Sequence, residues 1–238
     1  MHSIAYDSVH DEFTVPQQFG QAIMTFRGGA NGEEPPVRII QGSLTQLTDP
    51  DRLDVDPVHN EIFVPEGDVL VFPRGAQGNV APIRVLKGPA DMPLHADAVA
   101  VDPVHNLLVV GGSVGRRQPR LFVFNRTDEG NAAPKAVIGG PKSHLVGFGG
   151  PFAVYPPKGE IIVSVRGGEF SELASDYAYV GVWSTQDNGD VPPKWMIGGP
   201  NGVLQMPRGV ALDPKNKAML ISDKRLNAVL TFSFPEMF

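Results

Sequence analysis

The sequence predicts an all-β fold of the β-propeller class, with five blades of four antiparallel strands, the last blade lacking its fourth, outer strand. Three observations predict it. A short apolar strand ending in a turn-forming Asp recurs along the chain. A second strand, opened by Pro and closed by Gly, recurs between those copies. No segment between them carries a helical period.

The first landmark reads Ile4-Ala5-Tyr6-Asp7, Leu53-Asp54-Val55-Asp56, Val99-Ala100-Val101-Asp102 and Val210-Ala211-Leu212-Asp213, with a weaker copy at Phe152-Ala153-Val154-Tyr155. Its anchors Asp7, Asp56, Asp102, Tyr155 and Asp213 are spaced by 49, 46, 53 and 58 residues. The second landmark reads Pro36-Val37-Arg38-Ile39-Ile40-Gln41-Gly42, and it recurs at 82–88, 134–140 and 193–199. Each copy follows a Gly/Asn-rich turn. Nine landmarks in one consistent order define a repeat of blade length, since a propeller blade takes about 40–50 residues.

Within one unit the strands follow from local chemistry. Residues 99–101 are apolar and run into Asp102-Pro103, a turn initiator. Residues 107–110 form a second apolar run that Gly111-Gly112 is expected to stop. Residues 120–124 are aromatic and β-branched, as strands prefer. Residues 135–138 form the fourth, closed by Gly139-Gly140-Pro141. One such sheet cannot bury both faces alone, so successive blades must stack around an axis. The predicted blades span residues 2–50, 51–96, 97–149, 150–206 and 207–238 of a single domain. The third strand of the last copy, ending Thr231-Phe232-Ser233-Phe234, has no fourth strand after it, and no clasp strand precedes Ser3, so either the ring closes on a three-stranded last blade or the sequence is a fragment of a longer propeller whose upstream part is missing. The seam between blades 1 and 5 is therefore expected to be the weakest, or its open edge to pair with another molecule. The chain is expected to be a monomer or to self-associate through that edge.

Composition narrows the function classes. The 27 Gly and 23 Pro fit a turn-rich repeat. Only 19% of residues are charged and the net charge is −6, with no basic run denser than Arg116-Arg117, which argues against nucleic acid as a partner. The absence of Cys removes disulfides, thiol nucleophiles and zinc–thiolate sites. No run reaches the ~18 apolar residues of a membrane span, and no basic-then-apolar leader opens the chain, so neither membrane span nor signal peptide is predicted and the compartment stays unassigned.

The chain resembles the NHL-type propellers and related bacterial repeats. The matching pieces are the apolar-Ala-apolar-Asp inner strand, third strands ending in Phe (Phe26, Phe72, Phe124, Phe232) and the Gly-closed fourth strand. The second-strand turn departs from that pattern, and only Ser222-Asp223 followed by Asn227 comes close to it. The resemblance implies a propeller and no particular activity, because such folds serve enzymes and binding proteins alike.

His10, His59 and His105 fall at one position of the first turn and are read as turn chemistry. Five residues before the anchors lie His2, Asp51, Asp97, Gly150 and Arg208. Rotational repetition is expected to bring these to one mouth of the central channel, with Asp49, Arg52 and His95 near the same rim. His2, Asp51, Asp97 and Arg208 are the candidate ligand-binding residues. Asp51 and Asp97 are candidate ligands for a divalent metal ion in the channel, or partners of Arg208. No catalytic nucleophile or metalloprotease motif is present. Residues 113–119 and 166–176 read as insertions between second and third strands, suited to recognition, and His144 lies where blade 3 passes to blade 4. Three readings follow: a non-catalytic binding or scaffold propeller for a protein or small-molecule ligand, a metal-dependent hydrolase or lyase using the polar ring, and a trimmed or engineered propeller with no native activity.

Overall fold

The computed structural model describes residues 3–114, 118–165 and 178–238. It is a five-bladed β-propeller. Blade 1 comprises β1 (Ala5–Asp7), β2 (Glu12–Gln17), β3 (Ala22–Arg27) and β4 (Arg38–Gln41). Blade 2 comprises β5 (Asp54–Asp56), β6 (Glu61–Glu66), β7 (Asp68–Pro73) and β8 (Arg84–Leu86). Blade 3 holds β9 (His95–Asp102), β10 (Leu107–Val114), β11 (Gln118–Asn125) and β12 (Ala136–Ile138). Blade 4 holds β13 (Ala153–Tyr155), β14 (Glu160–Val165), β15 (Tyr179–Ser184) and β16 (Trp195–Gly198), and blade 5 has β17 (Pro207–Asp213), β18 (Ala218–Asp223) and β19 (Ala228–Ser233). Every sheet is a simple antiparallel meander, four-stranded in blades 1 to 4 and three-stranded in blade 5.

Side chains alternate across each strand, so one blade offers one set to each neighbour. Val55, Ile62, Val64, Leu70 and Phe72 of blade 2 pack against Ala5, Ile23 and Ile40 of blade 1. The opposite face of the same strands, Phe63, Val69, Val71 and Leu86, packs on Val99, Leu108, Val110 and Phe122 of blade 3. Equivalent clusters join blades 3 and 4, around Trp183 and Tyr179, and blades 4 and 5, around Ile162, Val180 and Met219. Each fully buried Phe, Leu or Ile contributes about 1.5–3 kcal/mol, so these four seams hold the ring together. Among the described residues no such cluster fills the seam from blade 5 to blade 1, where Ile4 and Val229 are each 66% exposed.

A second lacing runs around the outer rim. The fourth strands of blades 1 to 3 each bridge to a glycine in the turn of the next blade, pairing Ile40 with Gly78, Leu86 with Gly130 and Ile138 with Gly189. Gly78 N donates to Ile39 O at 2.7 Å, and Gln41 N returns to Gly78 O at 3.1 Å. All three glycines have positive φ (78, 57 and 86°), the region glycine enters freely. The Gly/Asn-rich turns are thus inter-blade ties as well as chain reversals.

Gly111 and Gly112 do not stop the second strand of blade 3, contrary to the sequence expectation. β10 continues to Val114, with a bulge at these two residues opposite Ala98 and Ala96. A Cβ on Gly111 would meet the Phe152 ring at 2.7 Å, and one on Gly112 would overlap the His95 carbonyl. The glycines are there for close packing and for the bulge. Ser113, Gln118 and Pro119, expected in a loop, are therefore strand residues, pairing Ser113 with Pro119 and Val114 with Gln118.

Candidate functional site

The innermost strands β1, β5, β9, β13 and β17 together line a central channel of about 390 Å³. Its wall combines backbone polar groups with apolar side chains such as Val55, Val101, Phe152 and Val210 and with Pro57, Pro103 and Pro151. Among the described residues one carboxylate, that of Asp54, lines it. Asp54 stands where the other four inner strands carry Ala5, Ala100, Ala153 and Ala211. Its Oδ2 accepts the Val101 N–H of the next blade at 2.8 Å, and its Oδ1 accepts its neighbour Val55 N–H at 2.9 Å. Burial pushes its pKa up to about 6, against the pull of those two N–H donors. Sequence reasoning passed over Asp54, although a carboxylate replacing an otherwise constant Ala was visible in the repeat.

A separate pocket of about 330 Å³ lies between blades 2 and 3. Asp49, Asp51, Arg52, Glu66 and Asp97 line it. Asp51 and Asp97, singled out from the period, do come to one pocket. The Arg52 guanidinium ties them, donating to Asp97 O at 2.9 Å and lying 3.7 Å from the Asp51 carboxylate. Glu66 arrives from the hairpin between β6 and β7 and accepts Thr48 Oγ1 at 2.6 Å and the Asp49 N–H at 3.2 Å. The hairpin is anchored to blade 3 by Ala96 N donating to Gly67 O at 2.7 Å. Four carboxylates and one guanidinium thus surround the pocket. Among the described residues no three His, Cys, Asp or Glu side chains are grouped to hold a metal ion.

The remaining ring positions fare differently. Arg208 lines a separate hollow of about 490 Å³ with Ser222, Asp223 and Val229, and its Nη1 donates to Gly149 O at 3.2 Å. Gly150 has a packing role, because a Cβ there would overlap the Arg208 carbonyl oxygen. His2 lies outside the described residues, as do residues 115–117 of the expected recognition segment 113–119 and the whole of the segment 166–176.

His10, His59 and His105 occupy identical turns at the opposite ends of the inner strands. In each, Nδ1 is 2.7 Å from Oδ2 of the anchor Asp7, Asp56 or Asp102. The other carboxylate oxygen accepts two backbone N–H groups of the turn at 2.9–3.0 Å. Two of these carboxylates also meet arginines from the following blade, Arg74 Nε 3.8 Å from Asp7 and Arg126 Nε 3.6 Å from Asp56. Arg126 also pairs with Glu61, which Arg84 holds bidentately at 2.7 and 2.8 Å. That end of the molecule is a structural ion network, and its imidazoles are committed to it.

No family model matches the chain, and no curated protein matches it. Solved structures do. A chain in the crystal structure of the mitotic checkpoint complex superposes with a TM-score of 0.61 at 13% identity, covering 97% of this chain and 63% of the other. A chain of the hydrazine synthase of Kuenenia stuttgartiensis superposes with a TM-score of 0.68 at 14% identity, covering 98% of this chain and 64% of the other. The chain spans just under two thirds of the length of both, and the likeness is one of fold. No helix among the described residues is long and apolar enough to cross a membrane.

Proposed function

We propose that this chain is a non-catalytic binding propeller whose pocket between blades 2 and 3 receives a cationic side chain of a protein partner. The carrying observation is the pocket's charge. Asp49, Asp51, Glu66 and Asp97 outnumber the single Arg52 around a space of about 330 Å³, which suits a guanidinium or ammonium group. Arg52 holds the Asp97 backbone and stands beside Asp51, so it organises the wall more than it neutralises the space. A propeller inside a checkpoint complex is one setting in which this fold sits among partner chains. The blade pattern supports a repeat of NHL type, through its inner strands and Phe-ended third strands.

Calorimetric titration with a tetra-arginine peptide tests the reading at about 0.15 M salt, where loose surface attraction is largely screened. Saturable binding that weakens at least about tenfold in Asp51→Asn/Asp97→Asn, and persists in Asp223→Asn beside Arg208, is the expected result. No binding, or binding indifferent to both changes, overturns it. Saturable uptake of calcium alone, lost in the same double variant, also overturns it and moves the pocket to metal chemistry.

A further inference from the structure

We infer that the central channel is a binding site for a small organic ammonium ion, with the Asp54 carboxylate as its counter-ion and the apolar side chains of blades 2 to 4 around its hydrocarbon part. The site shares no lining residue with the pocket between blades 2 and 3 and does not rest on the reading of that pocket. The repeat singles out Asp54 as a residue that the fold does not require. The same inner-strand position is Ala5, Ala100, Ala153 and Ala211 in the other blades, and it pairs with the second strand in the same register in each. An alanine therefore completes the sheet equally well, whereas a half-buried carboxylate costs free energy unless it is fully paired.

The protein pairs it only in part. The Val101 and Val55 N–H groups fill two of the roughly four acceptor positions of the carboxylate. The arginines of the surrounding blades are engaged elsewhere: Arg74 with Glu12, Arg84 and Arg126 with Glu61, and Arg52 with the Asp97 carbonyl. The charged side chain that acts on Asp54 is Asp56, another acid, which adds to burial in raising its pKa. At pH 7, above that pKa of about 6, Asp54 is mostly ionised. The channel therefore carries a negative charge that no cation among the described residues balances, and a bound cation relieves it.

The walls say which kind of cation fits. Val55, Val101, Phe152 and Val154 line the same space. β5, β9 and β13 are each the end strand of their sheet, so their inward edges leave backbone carbonyls as further acceptors. An ammonium group is a donor only, suited to one carboxylate and such carbonyls. An alkyl or aryl group attached to it covers the valines and the phenylalanine, which a bare metal ion would leave in contact with water. A channel of about 390 Å³ has the size of a small-molecule site, in which a few placed polar groups orient a ligand that apolar walls hold.

The probes are phenethylammonium and butylammonium, titrated calorimetrically into the full 238-residue chain at pH 7 and about 0.15 M salt, with neutral 2-phenylethanol beside them. Saturable one-to-one binding is expected, with phenethylammonium at least about tenfold tighter than 2-phenylethanol. Asp54→Ala, which gives blade 2 the side chain of the other four blades, is expected to weaken ammonium binding at least about tenfold and not to weaken that of the alcohol. Ala153→Phe, at a half-exposed position lining the channel, keeps Asp54 and narrows the space, so it is expected to weaken both. Asp51→Asn/Asp97→Asn leaves ammonium binding unchanged, which separates this site from the pocket between blades 2 and 3. No saturable binding of either ammonium, or binding indifferent to Asp54→Ala, overturns the inference. Calcium uptake that depends on Asp54, with no ammonium binding, overturns it in favour of a metal site.

Discussion

The Asp54 carboxylate of blade 2 accepts the backbone N–H of Val101 in blade 3 at 2.8 Å, so this channel-lining acid is also a tie between two blades. Burial raises its pKa from 3.8 to about 6. A folded acid with a raised pKa binds more protons than the unfolded chain between those values, so its contribution to stability falls as pH rises from about 4 to about 6. Asp54 is only half-buried, so solvent screening brings the expected loss to about 1–2 kcal/mol, less than the full shift implies. Urea unfolding of the native chain at pH 4.5 and pH 7 should show this loss superimposed on other groups, and Asp54→Ala should remove it. Identical pH dependence in the two proteins would mean that the carboxylate is solvated in the channel as freely as in the unfolded chain.

Glu61 shows the opposite sign. Burial works against its charge, but hydrogen bonds and attraction from Arg84 and Arg126 outweigh burial and hold its pKa below the usual glutamate value. Its contribution is therefore complete above pH 4.5 and is lost as the pH falls through the lowered folded value. Arg126, 8% exposed, reaches Glu61 and Asp56 from the next blade. Arg126→Ala leaves part of that buried charge uncompensated and should cost about 3 kcal/mol in chemical denaturation. Glu61→Gln should flatten the acid limb of the stability profile below pH 4.5. A cost under about 0.5 kcal/mol for Arg126→Ala would put the pair among solvent-screened surface bridges.

How much of this was legible differs by feature, for physical reasons. Rotational repetition carries position into space, so Asp51 and Asp97, at equivalent places in adjacent blades, were found together. Arg208 kept the period but turned to Gly149 across the blade 4–5 seam, because the backbones meet there at Gly150. Glu66 escaped, since it enters the pocket from a hairpin that the inner-strand period does not index. Asp54 escaped because the pattern was read for its recurring final Asp and not for its single break. The bulge at Gly111 and Gly112 was invisible for another reason: glycine marks both a strand end and a close approach, and only the neighbours that close on them, Phe148 and Phe152 on Gly111 and the His95 carbonyl on Gly112, decide between the two.

The turn after each inner strand contains its own control. Asp56 is fully buried and His59 closes the turn on it, as His10 does on Asp7 and His105 on Asp102. Blade 5 uses Asn216 at that position, donating to Asp213 at 2.6 Å. His59→Asn should therefore keep the native stability within about 0.5 kcal/mol, and His59→Ala should lose about 1 kcal/mol, the value of one hydrogen bond to a charged acceptor in a part-exposed site. Thermal unfolding of the two variants side by side measures the difference. Equal losses would show that imidazole, and not a side-chain donor, is what the turn requires.

Gly150 offers the sharpest test of the seam between blades 4 and 5. Its φ is not positive, so an alanine there meets no conformational penalty of its own. What it meets is the Arg208 carbonyl, which already accepts Ser164 Oγ at 3.3 Å and cannot retreat without moving β17. Gly150→Ala should therefore cost about 1–3 kcal/mol by overpacking, and hydrogen exchange should place the loss in β17 and β18 before the rest of the ring. Gly75→Ala is the matched control, since nothing lies within 4 Å of its Cβ and its φ is likewise not positive. It should be neutral or stabilising by about 0.4–1 kcal/mol through the unfolded state. If the two alanines behave alike, the close backbone approach at Gly150 is not what fixes blade 5 against blade 4, and the buried cluster of Ile162, Val182 and Met219 alone holds that seam.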